Sequence, residues 1–171
     1  MSSAIGDLVG KVVVSIRHIL PDGVDCRPLH CQLDLAEITR EFHRAPGALV
    51  AVPQISCDEV QGGEPIATVS MAVFLLVEGV RHADRGSMGL ELVERLLRRI
   101  TRERWDADGV RRAQGVTARV VYMDELERKA VTIWEVSWTQ ALELPDATEG
   151  LLTDYAGATL TVLPNTEPTD G

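Results

Sequence analysis

The feature that most constrains the fold is a long apolar stretch followed by an amphipathic one. Residues 66–77 form an apolar run of strand length, and its second half is apolar on both faces. Such a strand must be covered on both sides, so we predict that it lies in the centre of a sheet. Residues 87–102 place apolar side chains at helical spacing with charged side chains between them, which predicts a helix that packs on this sheet. The apolar stripe of that helix consists of Leu92, Val93, Leu96, Leu97 and Ile100.

The rest of the chain predicts a second long helix and three more strands. Apolar residues recur at helical spacing in residues 5–20, with Ser2 or Ser3 available as the N-cap. Pro53 cannot donate a hydrogen bond to a neighbouring strand and therefore indicates a strand end or an edge. The further strands are predicted at residues 48–55, 116–123 and 131–144, with a loop at residues 24–33 and a short helix at residues 34–42.

Two tryptophans lie on one face of the last predicted strand. Trp134 and Trp138 share this face with Val136, whereas the opposite face is mostly polar. A sheet with one apolar face must be covered, so we expect the tryptophans to pack beneath the two long helices. The sequence therefore predicts an α+β fold, in which an antiparallel sheet of about four strands carries two main helices on one face.

The composition changes at the end of this predicted domain. Residues 1–144 carry the α+β pattern, whereas residues 145–171 are rich in Pro, Gly, Thr, Asp and Glu and are predicted to form a C-terminal arm. Within the arm, residues 158–163 have the pattern of a strand that is able to pair with a neighbouring chain. The last residues, 164–171, have nothing to bury, and we expect them to be mobile.

Charge and cysteine content exclude several classes of protein. The formal net charge of -9 argues against tight binding of nucleic acid, which needs a basic surface to displace counterions. The apolar residues 5–20 are interrupted by charges, so they are neither a signal core nor a membrane span. Three cysteines without a secretory signal predict a reducing compartment, the cytoplasm.

One group of residues has the chemistry of a metal site. Cys26, His30, Cys31 and Cys57 are the soft ligands of the chain, and zinc needs four such ligands in tetrahedral arrangement. The adjacent His30 and Cys31 would have to turn toward the same ion from one loop. We therefore interpret the cysteines as isolated thiols and predict no metal ligand.

The sequence contains no recognisable nucleophile motif, phosphate loop or dinucleotide fingerprint. Residues 86–89, with two glycines before the predicted helix, are interpreted as the turn that leads into it; a backbone-amide site for an anion is the alternative. Residues 106–109 lack two of the acidic positions of a calcium loop and are interpreted as a turn. We predict no catalytic residue and no cofactor, although an acid–base pair assembled by folding stays open.

Two charged stretches are candidates for contacts with other subunits. The alternative is that they form an ordinary solvated surface, because exposed charges contribute little to stability. The candidate interface residues are Arg81, Asp84, Arg85, Asp124, Glu125, Glu127, Arg128 and Lys129.

The order of these elements resembles the tail terminator proteins of Mu-like contractile phages and related long-tailed phages. The resemblance covers residues 4–144 and is carried by the first helix, the strand opened by residues 46–52, the long apolar strand, and residues 81–89 leading into a leucine-rich helix. Residues 24–42 form an insert relative to this pattern. The C-terminal arm also departs from it.

The resemblance implies a structural virion protein rather than an enzyme. It implies a homohexameric ring at the head-proximal end of the tail, assembled in the host cytoplasm, that caps the tail tube protein and joins a neck or head-completion protein. DNA would pass through the channel without specific binding, and no membrane is involved. Closed cyclic symmetry explains how such a ring ends a tube without growing itself.

Two alternatives stay open at the level of the sequence. The first is another neck or tail-completion protein of similar fold. The second belongs to a different class, a small cytoplasmic ligand- or metal-binding enzyme that uses the loop with Cys26, His30 and Cys31 or the turn at residues 86–89.

Overall fold

The computed structural model describes residues 3–29, 46–58, 65–79, 81–121, 128 and 130–144. Over these residues the chain has an α+β fold of two helices and five strands. The elements are α1 (Ala4–Ile19), β1 (Asp25–Pro28), β2 (Gly47–Asp58), β3 (Ile66–Glu78), α2 (His82–Ile100), β4 (Gln114–Val121) and β5 (Val131–Glu143). The predicted helix at residues 34–42 and the C-terminal arm at residues 145–171 lie outside the described residues.

The five strands form one mixed sheet in the order β1-β2-β3-β5-β4. β3 lies in the middle and pairs antiparallel with β2 and β5, and β5 pairs antiparallel with β4. The central position predicted for β3 is therefore confirmed.

The prediction of about four antiparallel strands misses β1, which pairs parallel with β2. Residues 24–33 were expected to be a loop, because four residues are too few to show a periodic pattern. β1 forms because Cys26 points into the core next to α1 and the backbone pairs with residues 47–50.

β3 is covered on both faces, as its sequence predicts. The side chains on the face toward the helices belong to the main core, whereas Ala72, Phe74 and Leu76 belong to a second buried cluster on the opposite face. The residues of β3 in the main core are Ala67, Val69, Met71, Val73, Leu75 and Val77.

The two helices lie side by side on one face of the sheet. α1 begins at its predicted cap, where the Ser3 hydroxyl accepts a hydrogen bond from the Gly6 amide at 3.0 Å. It contacts β1 and β2, whereas α2 contacts β3, β4 and β5. Arg99 on α2 donates from Nε to the Ser15 hydroxyl on α1 at 3.0 Å, which ties the helices together.

The strand that contains the tryptophans is confirmed within one residue of its predicted bounds. Trp138 is buried in the main core, and Trp134 packs on the same side against α2. The opposite face is less polar than expected, because Ile133 is fully buried there. This end of β5 is therefore covered on both faces, which the sequence pattern of β5 alone does not show.

Pro53 lies inside β2 and not at a strand end, but among the described residues this part of β2 pairs only with β3, which agrees with the predicted edge position. The pairing between β2 and β3 shifts register between Ala51 and Gln54, so the proline occupies a β-bulge. β1 pairs only with residues 47–50, so it does not need a donor from Pro53. The proline is accommodated because its missing N–H falls where the regular ladder is already interrupted.

Candidate assembly surface

The residues that flank the two predicted contact stretches, at the end of β3 and just before β5, lie together at one end of the sheet. The amide of Gly79, just after β3, donates a hydrogen bond to the Ala130 carbonyl, just before β5, at 3.3 Å. The last residue of β3, Glu78, pairs with the first residue of β5, Val131. The start of α2 and the segment before β5 are therefore neighbours, although they are far apart in sequence.

Three of the predicted residues are exposed at this end, and we call them the charged end: Arg81, Asp84 and Arg128. Asp84 lies in the first turn of α2, where a carboxylate interacts favourably with the helix dipole. Arg81 occupies the N-cap position without a hydrogen bond from its side chain to the helix. Two cationic groups and one anionic group are thus presented to solvent, a pattern suited to recognising a partner of mixed charge. The other predicted residues, Asp124, Glu125, Glu127 and Lys129, lie outside the described residues.

Arg85 is buried, which corrects the expectation that it is an exposed charge like Arg81 and Asp84. Its relative exposure is only 4%, and its Nη1 donates to the Gly79 carbonyl at 2.7 Å. The first turn of α2 directs this side chain back over the β3–α2 connection. Its role is to hold that connection in place beneath the charged end, and the sequence could not show this because it depends on where α2 begins.

The glycines at positions 86 and 89 lie inside α2 and do not form a turn before it. α2 begins at His82, five residues earlier than predicted, so residues 86–89 have their amides in the helical ladder rather than available for an anion. A Cβ at Gly89 would stand 2.8 Å from Cδ1 of Trp134 and still closer to its Nε1. Gly89 therefore allows α2 to approach β5 closely, a packing role that replaces the predicted turn.

β4 forms one border of the sheet and lies beside the charged end. Within the described part of the chain it pairs only with β5, and none of its residues is buried. Cross-strand contacts on the face away from the helices fix its register: Arg119 bonds Glu135 at 2.6 Å, and the hydroxyls of Thr117 and Ser137 lie 3.1 Å apart. An edge of this kind presents backbone donors and acceptors to another chain.

The helix-side face of β4 is partly apolar and incompletely covered. Val116 and Ala118 pack against the margin of the main core, whereas Val120 is 45% exposed. On α2, Leu90 is 57% exposed. Exposed apolar groups beside a strand edge are typical of a surface that another polypeptide covers.

Leu90 lies on the side of α2 that faces β4. Arg95 and Arg99 reach across to α1 from one side of α2. Helical geometry places Leu90 and Leu97 on the opposite side, where α2 contacts β4. Leu90 and Val120 therefore border the same edge of the molecule.

An open groove of about 760 Å³ runs between α1 and the end of α2, and no sequence motif indicated it. Its polar groups bind one another: Lys11 Nζ donates to the Asp106 carbonyl at 2.6 Å, and Arg99 Nε lies 3.0 Å from the Glu103 carboxylate. The side chains of Lys11, Arg99 and Glu103 are thus engaged in contacts within the framework of the two helices and the following turn. We therefore interpret the groove as a gap between the two packed helices and do not assign a ligand to it.

The turn after α2 has the backbone of a tight turn. Trp105 and Asp106 have positive φ values of 60° and 48°, and Gly109 has φ 71°. A Cβ at Gly109 would stand 3.0 Å from Cβ of Glu143, so this glycine serves close packing on β5. The prediction of a turn at residues 106–109 is therefore confirmed.

Cys26 and Cys57 do not form a common site. Cys26 is buried, and its Sγ donates to the Val13 carbonyl at 3.7 Å. Cys57 is exposed and lies nine positions along β2 from Ala48, the partner of Cys26, which corresponds to about 30 Å at ~3.3 Å per residue. Among the described residues there is no group of three or more His, Cys, Asp or Glu side chains placed to hold a metal ion. His30 and Cys31 lie outside the described residues.

The environment of Cys26 favours the neutral thiol. Burial raises its pKa to about 11; nearby Arg17 acts in the opposite direction, and Asp25 adds to the increase. A thiol is a poor nucleophile and a poor metal ligand compared with a thiolate. Cys26 is therefore interpreted as a packed core side chain and not as a nucleophile or a metal ligand.

A comparison of the sequence with models of known protein families found no match, and a comparison with curated proteins found none. Neither helix that the structure describes is both long enough and apolar enough to cross a membrane.

Proposed function

We propose that this chain is a phage tail terminator, a structural subunit that assembles into a hexameric ring on the head-proximal end of the tail tube. The ring ends tube polymerisation and provides the surface to which a neck or head-completion protein joins. The observation that supports the proposal is that the start of α2, with Arg81 and Asp84, lies beside the residues just before β5 at one end of the sheet, next to the border strand β4. These features supply surfaces for assembly with other chains.

The two surfaces have complementary tasks in a ring. A cyclic assembly of more than two copies uses a head-to-tail contact, in which one surface of each copy meets a different surface of the next. The edge of β4 offers main-chain hydrogen bonds, which supply affinity. The charged end offers Arg81, Asp84 and Arg128, whose charges select the partner and fix its orientation.

The charge of the protein agrees with a conduit for DNA. Each chain carries a formal net charge of -9, so six copies form a strongly acidic ring. Acidic walls repel the phosphate backbone, and DNA passes through such a channel without being held.

Native mass spectrometry of the purified chain, alone and after addition to tail tubes of the same virus, tests the proposal. Six chains of 18.7 kDa correspond to a ring of about 112 kDa. Electron microscopy of tubes polymerised with and without the chain should show shorter, capped tubes in its presence. A chain that stays monomeric in both conditions would overturn the proposal. A ring that leaves tube length unchanged would replace the terminator with another neck or tail-completion protein.

Charge reversal at the charged end tests which surface is used. The double variant Asp84→Arg with Arg128→Glu should fold normally but lose ring formation or tube capping. The matched control is Arg104→Glu with Asp108→Lys, which reverses two exposed charges in the segment after α2. Equal loss in both double variants, or no loss in the first, would remove the charged end from the proposed interface.

A further inference from the structure

We propose that neighbouring copies in the ring are joined by strand exchange, in which residues 158–163 of one copy add to the outer edge of β4 in the next. This inference rests on the proposed ring and names the contact that closes it. Residues 158–163 lie outside the described residues; their sequence pattern and the geometry of the receiving edge support the exchange.

The receiving edge has the geometry that strand addition needs. β4 pairs with β5 from Thr117 to Val121 without interruption, after a shift of register between Gln114 and Thr117. The regular part of β4 therefore presents an ordered row of backbone groups on its outer side. Such a row binds an extended segment through main-chain hydrogen bonds, and side-chain pattern then decides which segment fits.

The side-chain pattern of residues 158–163 matches that of β4. In β4 the helix-side face carries Val116, Ala118 and Val120, and the opposite face carries Thr117 and Arg119. The arm alternates in the same way, with Ala158, Leu160 and Val162 separated by Thr159 and Thr161. An added strand in matching register would continue both faces of the sheet, apolar beside apolar and polar beside polar.

The helix-side face also has room for these apolar side chains. Val120 is 45% exposed and Leu90 on the adjoining side of α2 is 57% exposed. A strand outside β4 would place Leu160 and Val162 on the face that these two residues border. Burial of the exposed Val120 and Leu90 side chains beneath such a strand then favours the exchange.

The chain leaves the sheet close to this edge. β5 is followed by Leu144, whose amide donates to the Pro65 carbonyl at 2.9 Å. The end of β5 lies beside the beginning of β4, because Thr139 pairs with Gln114 and Leu142 with Val110. Residues 145–157 span about 43 Å when extended at ~3.3 Å per residue, far more than the ~5 Å that separates β5 from β4, so the arm is long enough to extend beyond the edge of its own sheet.

Exchange between copies, rather than pairing within one copy, is what a closed ring requires. A head-to-tail contact needs two different surfaces on each subunit, and β4 and the arm are two such surfaces. Each copy gives its arm to one neighbour and receives the arm of the other. The outer backbone groups of β4 are then paired in every copy of the ring.

Full-length variants of the arm and of the edge test the exchange. In the arm variant, Leu160→Asp with Val162→Asp, rings should be lost; in its control, Leu151→Asp with Leu152→Asp, which alters the same arm outside the strand, rings should persist. Rings that form normally from the arm variant would overturn the exchange while leaving the terminator proposal intact. Absence of rings from the unmodified chain would instead refute the proposed function.

The edge variants are a pair, Ala118→Pro and Arg119→Pro. N–H groups of successive strand residues point to opposite sides, so one proline removes a bond to β5 and the other removes an outward donor. Thermal unfolding followed by circular dichroism identifies the outward position as the variant that melts close to the unmodified chain. That variant should fail to form rings, and a complete ring from it would overturn the exchange.

Mixing the two kinds of defective chain gives the decisive result. The arm variant retains a receiving edge, and the folded edge variant retains an arm, so one intact contact is possible between them. Native mass spectrometry of the mixture should show a one-to-one heterodimer of about 37 kDa, twice the chain mass of 18.7 kDa, and no ring. If the two variants stay monomeric after mixing, the arm does not bind the edge of another copy.

Discussion

Gly89 of α2 lies against the indole of Trp134 on β5, closer than any residue with a side chain could lie. A Cβ at position 89 would stand 2.8 Å from Cδ1 of the indole and closer still to Nε1. This contact sets the spacing between α2 and the outer part of the sheet, where Val120 and Leu90 border the β4 edge. A side chain at position 89 would therefore both destabilise the fold and shift α2 relative to the β4 edge that is proposed for assembly.

Gly89→Ala should lower the free energy of unfolding by about 1–2 kcal/mol. Overpacking against a large ring costs roughly 1–3 kcal/mol, and the higher helix propensity of alanine offsets part of it. Gly86→Ala is the matched control, because a Cβ there meets nothing within 4 Å. It should raise the free energy of unfolding by about 0.5–1 kcal/mol. Urea unfolding of both variants measures the difference, and equal effects would show that α2 does not rest on Trp134.

Gln140→Leu should lower the free energy of unfolding by about 2–5 kcal/mol. The buried Gln140 side chain accepts hydrogen bonds at Oε1 from the indole N–H groups of Trp105, at 2.7 Å, and Trp138, at 3.0 Å. Its Nε2 donates to the Arg111 carbonyl at 3.0 Å. Leucine satisfies none of these groups, and each buried unsatisfied group costs about 1–3 kcal/mol.

The control for Gln140 is Gln54→Leu, which changes an exposed glutamine and should shift stability by less than about 0.5 kcal/mol. Chemical denaturation followed by tryptophan fluorescence reports both the stability and the environment of the two indoles. If the Gln140→Leu variant is as stable as the unmodified chain, the hydrogen bonds of Gln140 to the two indoles and to the Arg111 carbonyl do not stabilise the fold.

Arg85→Ala should lower the free energy of unfolding by about 2 kcal/mol, because a buried charged donor to the Gly79 carbonyl is lost. Arg81→Ala, at the exposed N-cap position, should change it by less than about 0.5 kcal/mol. Thermal unfolding compares the two. If Arg81→Ala proves the more destabilising, the assignment of Arg85 to structure and Arg81 to the surface is reversed.

Alkaline pH should destabilise the fold through Cys26. Its pKa is raised from 9.0 to about 11 in the folded chain, mainly by burial. Below pH 9 the thiol is protonated in both states, and its contribution to stability is fully present. Between about pH 9 and 11 the unfolded chain releases the proton while the folded chain keeps it. Up to about 2–3 kcal/mol of stability is therefore lost as the pH rises.

Cys26→Ala should flatten this part of the pH dependence, even though the smaller side chain lowers stability at every pH. Cys57→Ala removes an exposed thiol and serves as the control. Urea midpoints between pH 8 and 11 give the slope for each variant. Identical slopes in the unmodified chain and in Cys26→Ala would show that another group is responsible.

Much of the candidate site depends on contacts that the sequence does not display. Arg81, Arg85 and Arg128 look alike as charged residues in polar stretches, yet Arg85 is buried and the other two are exposed. Burial of Arg85 follows from the start of α2 at His82, ten residues before the apolar stripe begins at Leu92. The neighbouring positions of residues 79 and 130 follow from the pairing of β3 with β5.

The sequence by itself determined the elements with a long periodic pattern: α1 with its Ser3 cap, the two-faced β3, the apolar stripe of α2, and the tryptophan face of β5. Periodicity is a local property, and it reports which side of an element is buried. The tertiary structure decided the parallel strand β1, the bulge at Pro53, the contact between Gly89 and Trp134, and the proximity of Gly79 to Ala130. These features depend on pairing between distant segments, because a four-residue strand, a proline or a glycine acquires its role only from the partner packed against it.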